Sequence, residues 1–267
     1  MSDDAHDPGE TVGLVVERRG AVAVLRLDRR DARNALTPAL VGALGAAVVA
    51  ADDGPDVRVI VLTGSGTEAF CAGMDLRSFA GGDRVAGPAD DDGVAGFLRF
   101  VQGEIATPIV GAANGSAVAG GLELLLGCDV VVASSEARFG LPEVQRGLFA
   151  AGGGTFIGQW IPLAVALEIA LTGDPFDAGR AYELGLVNRV VPPGDVLDTA
   201  LALAERIAAN GPLAVAASKE LVRLGASDAG RARQRLDEWR EVVFSSDDAR
   251  EGARAFVEKR PPAWSGR

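Results

Sequence analysis

Asn114-Gly-Ser-Ala-Val-Ala-Gly-Gly-Leu-Glu123 is the part of this chain around which the other elements fall into place. An apolar, strand-like run, residues 108–113, precedes it. Good helix formers over 122–126 follow and end at Gly127. Strand, glycine-rich turn, helix is the local reading. Such a turn presents bare backbone N–H groups at the positive end of a helix, which receives negative charge. Glu123, one turn in, adds a carboxylate beside that anion site. An enzyme that builds charge on an oxygen and moves a proton next to it needs both parts. The stretch alone also allows a plainer reading: small residues for close packing, with Glu123 as a helix cap.

The N-terminal side is rich in β signals. Residues 11–18 and 21–28 read as two strands around Arg19-Gly20, a hairpin. A charged loop follows, and Thr37-Pro38 supplies an N-cap and a proline at the first helical position, opening a helix to about Ala51. Residues 57–63 form a β-branched strand. The next turn, Gly64-Ser-Gly-Thr-Glu-Ala69, has the outline of a dinucleotide-binding loop. That reading fails because Gly73 falls where its helix should be running and no acidic ribose ligand ends a second strand. A polar turn between strands fits better. Phe70-Cys-Ala-Gly-Met-Asp-Leu76 reads as a second small-residue turn leading to a helix. A Gly/Asp-rich loop (81–93) and an amphipathic helix over 93–104 come next.

On the C-terminal side, 128–133 reads as a buried strand and 137–139 as a short one. Gly147 to Gly154 is another glycine-rich turn, entering a helix near Thr155. Asp177 caps a helix that stops at Gly185, and 187–191 is the last strand. After Pro192-Pro193 only helices are expected: 197–208, 212–225, 229–244 and Asp247–Glu258. The expected organisation is an acidic tail (1–11), a mixed α/β part (12–195) and a helical part (196–267).

Composition narrows the function. The chain has 267 residues, 48% of them apolar but only 5% aromatic, with 35 glycines. This suits a globular α/β chain with many tight turns. A net charge of −11 argues against general nucleic-acid binding, though an anionic small ligand needs only a few local cations. Two cysteines, Cys71 and Cys128, make no disulfide framework and fit a reduced, cytoplasmic setting. No run is long and apolar enough to span a membrane, and the acidic N-terminus is unlike a signal peptide. The only histidine is His6, in the polar tail. Ser-His-Asp or Cys-His catalysis and a histidine-built metal site are therefore not expected. Acid–base work falls to carboxylates, Lys, Tyr or Cys.

Several motifs then stand in one order: Arg33-Asn-Ala-Leu36, Phe70-Cys-Ala-Gly-Met-Asp-Leu76, the opening stretch, Cys128-Asp129, Phe139-Gly-Leu-Pro-Glu143 and Ala178-x-x-Ala-x-x-Leu-Gly-Leu-Val187. In order and spacing they resemble the crotonase, or enoyl-CoA hydratase/isomerase, family over nearly the whole chain. The resemblance implies an α/β crotonase-like spiral of ββα units, a C-terminal helical oligomerisation region, and homotrimers or dimers of trimers. It implies an acyl-CoA thioester as substrate, with coenzyme A arriving as part of it and no permanently bound cofactor or metal.

The resemblance also implies roles. The amides at Met74 and Gly120 would hold the thioester oxygen, since enolate-like charge there needs two donors. The Met74 side chain is equally suited to core packing. Glu123 and Glu143 match the glutamate pair of the hydratases: Glu123 would activate water and Glu143 would exchange the Cα proton. Facing carboxylates in an apolar cleft should have split pKa values. A capping Glu123 and a surface Glu143 are the plainer alternative. Coenzyme A contacts would fall on Ala32, Arg33, Ala72, Asp75, Arg77 and Lys259, where ordinary solvated charge is the alternative for the cations. The expected reaction is hydration of a trans-2-enoyl-CoA. Isomerisation, hydrolysis or decarboxylation of another acyl-CoA is the alternative within the family, and an RNA-binding or scaffold role lies outside it. Three departures bear on acyl preference: Ala119 where glycine is usual, Phe149-Ala150 where proline is common, and no Arg or Lys just after Trp160.

Overall fold

The computed structural model describes residues 12–81 and 91–267. The acidic tail with His6, and the Gly/Asp-rich loop apart from its ends, lie outside the described residues. Strands β1 (Leu14–Arg19) and β2 (Val22–Leu27) pair antiparallel, and Gly20 turns between them at φ +57°. Helix α1 (Pro38–Asp52) starts as its sequence demands: the Thr37 side chain accepts from the amide of Leu40, and Pro38 needs no N–H there.

A repeating unit follows. Strand β3 (Val59–Gly64) lies in one sheet, β4 (Ala69–Cys71) in a second, and helices α2 (Leu76–Ala80) and α3 (Asp92–Val101) close the unit. The next unit is β5 (Ile109–Ala113), β6 (Ser116–Val118) and α4 (Gly120–Gly127). A third is β7 (Val130–Ser134), β8 (Arg138–Gly140) and, after two 3₁₀ turns, α5 (Leu163–Thr172). Strand β9 (Phe176–Asp177), α6 (Ala178–Glu183) and β10 (Arg189–Val191) finish the sheets. The larger sheet runs β1-β2-β3-β5-β7-β10 and the smaller β4-β6-β8-β9. Each unit gives one strand to each sheet before its helix, so the chain winds as a spiral of ββα turns. The spiral expected from the motifs is present.

Both faces of the large sheet are covered over its central strands β3, β5 and β7, which is why those strands are almost wholly apolar. Leu25, Leu27, Ile60 and Leu62 face α1 and the smaller sheet. Val24, Val59, Val61 and Val110 face α7 (Val196–Ala208), through Val196, Ala200 and Ala204. The change to helix near 195 thus alters secondary structure while the core continues across it. Helices α8 (Pro212–Ser227), α9 (Ala229–Ser245) and α10 (Asp247–Glu258) complete the chain. Among the described residues no helix is long and apolar enough to cross a membrane.

The 64–69 turn joins two strands, as expected, but some elements differ from the sequence expectation. Phe70-Cys71, expected in a turn, belongs to the second of those strands. Two buried asparagines pin the turn. Asn34 donates to the carbonyls of Ser65 and Ala69, and Asn114 accepts from Gly64 N (2.8 Å) and donates to Gly66 O (2.8 Å). The stretch after Gly154 forms a 3₁₀ run, Gly154–Gln159, while the true helix is α5. Leu163-Ala-Val-Ala-Leu-Glu-Ile-Ala-Leu-Thr172 is apolar except at Glu168 and Thr172 and shows no clear helical period. Leu163 and Leu171 stay 67% and 71% exposed.

Candidate active site

Two bends in the backbone meet. At the first, Gly73 takes φ +83°. Leu36 N donates to Gly73 O (2.8 Å) and Asp75 N to Leu36 O (2.9 Å), so the bridge uses the groups on either side of Met74. The Met74 amide points the other way, and it donates to no acceptor among the described residues. At the second bend, Ala119 sits at φ 52°, ψ −129° and caps α4 without a side-chain bond. Its carbonyl accepts from Leu122 N and Glu123 N, and the amide of Gly120 opens the helix with no acceptor among the described residues. The bends touch. A Cβ on Gly73 would lie 2.6 Å from Ala119 Cβ and 3.0 Å from Gly120 N. The expected helix start at 122 moves back two residues because glycine at 120 and 121 admits close approach. At Gly121 a Cβ would meet Cys71 O at 2.0 Å.

Glu123 is 8% exposed. Its carboxylate does not cap its own helix. Oε1 accepts from Gly152 N (2.8 Å) and Gly154 N (2.9 Å), across on the third glycine turn. Burial raises its pKa, and the two amide bonds oppose the rise only in part. Glu143 is the second residue of the 3₁₀ turn Pro142–Arg146. Its Oε2 is buried with no hydrogen-bond partner among the described residues. Its pKa is also raised, first by burial and then by the charge of Glu123, against its own backbone N–H and Arg146. A buried carboxylate oxygen without a partner is costly unless a ligand supplies one.

These pieces line one cavity of ≈ 410 Å³, which takes in Met74, Gly120, Glu123, Glu143, Ala72 and Arg146. Leu36, Val41, Phe97, Leu98 and Val118 make its apolar wall. The arrangement offers two free amides from separate turns and two acids of raised pKa to a ligand that is largely apolar.

The coenzyme A candidates are more scattered. Ala72 lines the cavity, though its N–H is spent on Arg33 O (3.0 Å). Asp75 pairs with Arg29 (3.1 Å) and accepts from Arg77 N (3.2 Å). Arg77 is exposed in the first turn of α2. Arg33, at φ 51°, lines a separate polar cleft of ≈ 310 Å³ with Arg30, Ser65 and Glu68, and Ala32 ends the 3₁₀ turn just before it. Lys259 caps α10 at φ 52° and lines neither.

Sequence reasoning missed Gly152 and Gly154 as the donors that hold Glu123, and Arg146 as a cation in the cavity. The Gly152-Gly-Gly154 run carried the signal, since bare amides there are as available as those of the first two turns.

The chain's likeness to known proteins agrees with this geometry. Residues 17–267 match the family model described as enoyl-CoA hydratase/isomerase. Enoyl-CoA hydratase EchA19 of Mycobacterium tuberculosis is 39% identical over 259 residues, covering 95% of this chain and 96% of that protein. Carnitinyl-CoA dehydratase of Proteus mirabilis is 37% identical over 261 residues, covering 95% and 98%. The crystal structure of enoyl-CoA hydratase EchA1 from Mycobacterium marinum superposes with a TM-score of 0.87 at 43% identity, covering 96% of this chain and 99% of that one. With the ββα spiral, the paired bends and a match over almost its full length, the chain belongs to the enoyl-CoA hydratase/isomerase family, the crotonases.

Proposed function

We propose that this chain hydrates a trans-2-enoyl-CoA. The observation that carries the proposal is the pairing of Glu123 and Glu143 on one cavity with the unpaired amides of Met74 and Gly120. The thioester oxygen lies between the two amides. Water adds at Cβ, Glu123 takes a proton from it, and charge builds on the thioester oxygen as an enolate. Glu143 returns a proton to Cα. Each amide contributes about 3 kcal/mol of barrier lowering, the usual effect of one such donor. The raised pKa values suit the division: burial raises both, and the charge of Glu123 raises that of Glu143 further, which favours a protonated acid beside an ionised one. The second glutamate favours hydration over isomerisation, which one acid serves.

Coenzyme A enters past Ala72, with Arg33 and Arg77 as cations toward its phosphates and Ala32 and Asp75 shaping the loops that carry them. Lys259 reaches the coenzyme of its own or a neighbouring subunit. The exposed apolar side chains of the last helices support assembly into trimers or dimers of trimers. Relatives named for enoyl-CoA hydration and for carnitinyl-CoA dehydration share the gain or loss of water and differ in the acyl group.

The test is loss of the conjugated enoyl-thioester absorbance across a panel of chain lengths. Turnover by the wild type and a fall of about a hundredfold or more in both E123Q and E143Q are expected. Absence of turnover at every length, from folded protein, counts against hydration. Wild-type rates in either variant remove that glutamate from the chemistry.

A further inference from the structure

The aim of the Met74 amide is set from the other side of its own peptide group. A trans peptide sends its C=O and its N–H in opposite directions, and among the described residues no peptide bond is cis. Gly73 O accepts from Leu36 N (2.8 Å), so the N–H of Met74 is turned away from the Leu36 backbone. The same geometry applies one peptide further back. Leu36 N shares its peptide with Ala35 O, and Ala35 O accepts from Arg29 Nη1 (2.5 Å). Two peptide planes in series therefore connect the Arg29 guanidinium to the Met74 amide.

The second arm of the guanidinium closes the loop. Arg29 Nη2 donates to Asp75 Oδ2 (3.1 Å), and Asp75 N donates to Leu36 O (2.9 Å). Arg29 thus grips both chains of the Leu36–Met74 bridge, one by a carbonyl and the other by a carboxylate. A planar fork with donors at fixed spacing suits that task. Arg29 is itself confined. A Cβ on Gly13 would meet Arg29 Cγ at 2.2 Å, and the Arg29 amide donates to Asn34 Oδ1 (3.0 Å). The loop that it spans needs holding, since Arg33 and Asn34 both take positive φ, 51° and 55°. Neither Arg29 nor Asp75 lines the catalytic cavity, so their effect on a bound thioester passes through the bend.

Resting on the placement of the thioester oxygen between the amides of Met74 and Gly120, we infer that Arg29 is a positioning residue. Its fork, set on Ala35 O and Asp75, aims the Met74 amide at that oxygen.

The test is isotope-edited infrared spectroscopy of butyryl-CoA, labelled at its carbonyl carbon and bound to the whole protein. The probe is saturated and takes up no water, so its carbonyl stretch reads the donors alone. In wild type the stretch should lie below its value in water. R29Q should return about half of that shift, the share of one donor of two. D75N should return part of it, and the double variant no more than R29Q. With an enoyl-CoA, R29Q should lower kcat about tenfold or more and change KM less than about threefold. A purely structural role would lower the denaturant midpoint and leave the stretch of the folded protein unmoved. A wild-type stretch in folded R29Q overturns the inference and leaves the amide pair standing. If R29Q does not fold, D75N decides by the same criterion. A wild-type stretch no lower than in water refutes the amide pair, and this inference with it.

Discussion

Ala119 is the residue at which stability and site geometry conflict. Its φ 52°, ψ −129° backbone is one that L side chains rarely adopt, and holding it costs about 1–3 kcal/mol. The contact with Gly73 across the bends maintains it. A119G should raise stability by about 1 kcal/mol, read as a higher denaturant midpoint, and keep turnover. G73A should do the opposite. Its Cβ would lie 2.6 Å from Ala119 Cβ at φ +83°, so the bends must part. Turnover should fall about a hundredfold or more while circular dichroism still shows a fold. The glutamates make a pH prediction. Burial raises both pKa values above the usual glutamate range. The acid limb of kcat/KM should therefore begin closer to neutrality than for a surface glutamate, and the alkaline limb should follow ionisation of the second acid, giving a bell. For stability, a raised folded-state pKa means the folded chain holds its protons longer than the unfolded one. The pair's contribution is thus present at low pH and lost as pH rises. E143Q should gain stability relative to wild type on going from acidic to alkaline buffer, measured by thermal melts.

Among the elements, α8 is fastened by a charge cluster. Asp129 accepts from Lys219 Nζ (2.7 Å), Arg223 Nε (2.9 Å) and the amide of Ile109 (2.7 Å). Lys219 is buried and its pKa is lowered, first by that burial. D129N leaves a buried ammonium without its anion and should cost about 3–5 kcal/mol in chemical denaturation. The double variant D129N/K219M should recover part of the loss, because an apolar chain needs no counter-charge. Elements also show what the sequence could and could not tell. Thr37-Pro38, Asp177 and the β-branched runs mark their helix and strands by local chemistry, and the elements lie close to where those signals put them. Helix α5 is not legible, because its apolar residues face several directions and only Ala166 and Ile169 are buried within the single chain. Strands β4 and β6 are three residues each, too short for a period to show. Within the site, the two acids and two bends carry motifs. The bond from Gly152 and Gly154 to Glu123 spans about thirty residues and exists only once the spiral has closed.

Taken whole, the chain leaves large apolar side chains bare on its last three helices, which supports the proposed assembly. Phe244, Phe256, Val257 and Val222 are 81%, 86%, 78% and 74% exposed on the last three helices, more than a monomer usually leaves bare in one region. Light scattering should report three or six chain masses. F256D should shift the population toward smaller species, since an interface does not tolerate a buried unpaired carboxylate. A monomer at all concentrations would contradict the trimeric reading.

If water adds across the double bond while main-chain donors hold the oxygen and Glu123 and Glu143 handle the protons, the product carries a record of each step. Mass spectrometry of the product formed from an enoyl-CoA in deuterated water reads that record. The product should be heavier by one water, with one non-exchanging deuterium at Cα, and E143Q should form none at a comparable rate. A product of unchanged composition, or free coenzyme A in its place, would rule hydration out.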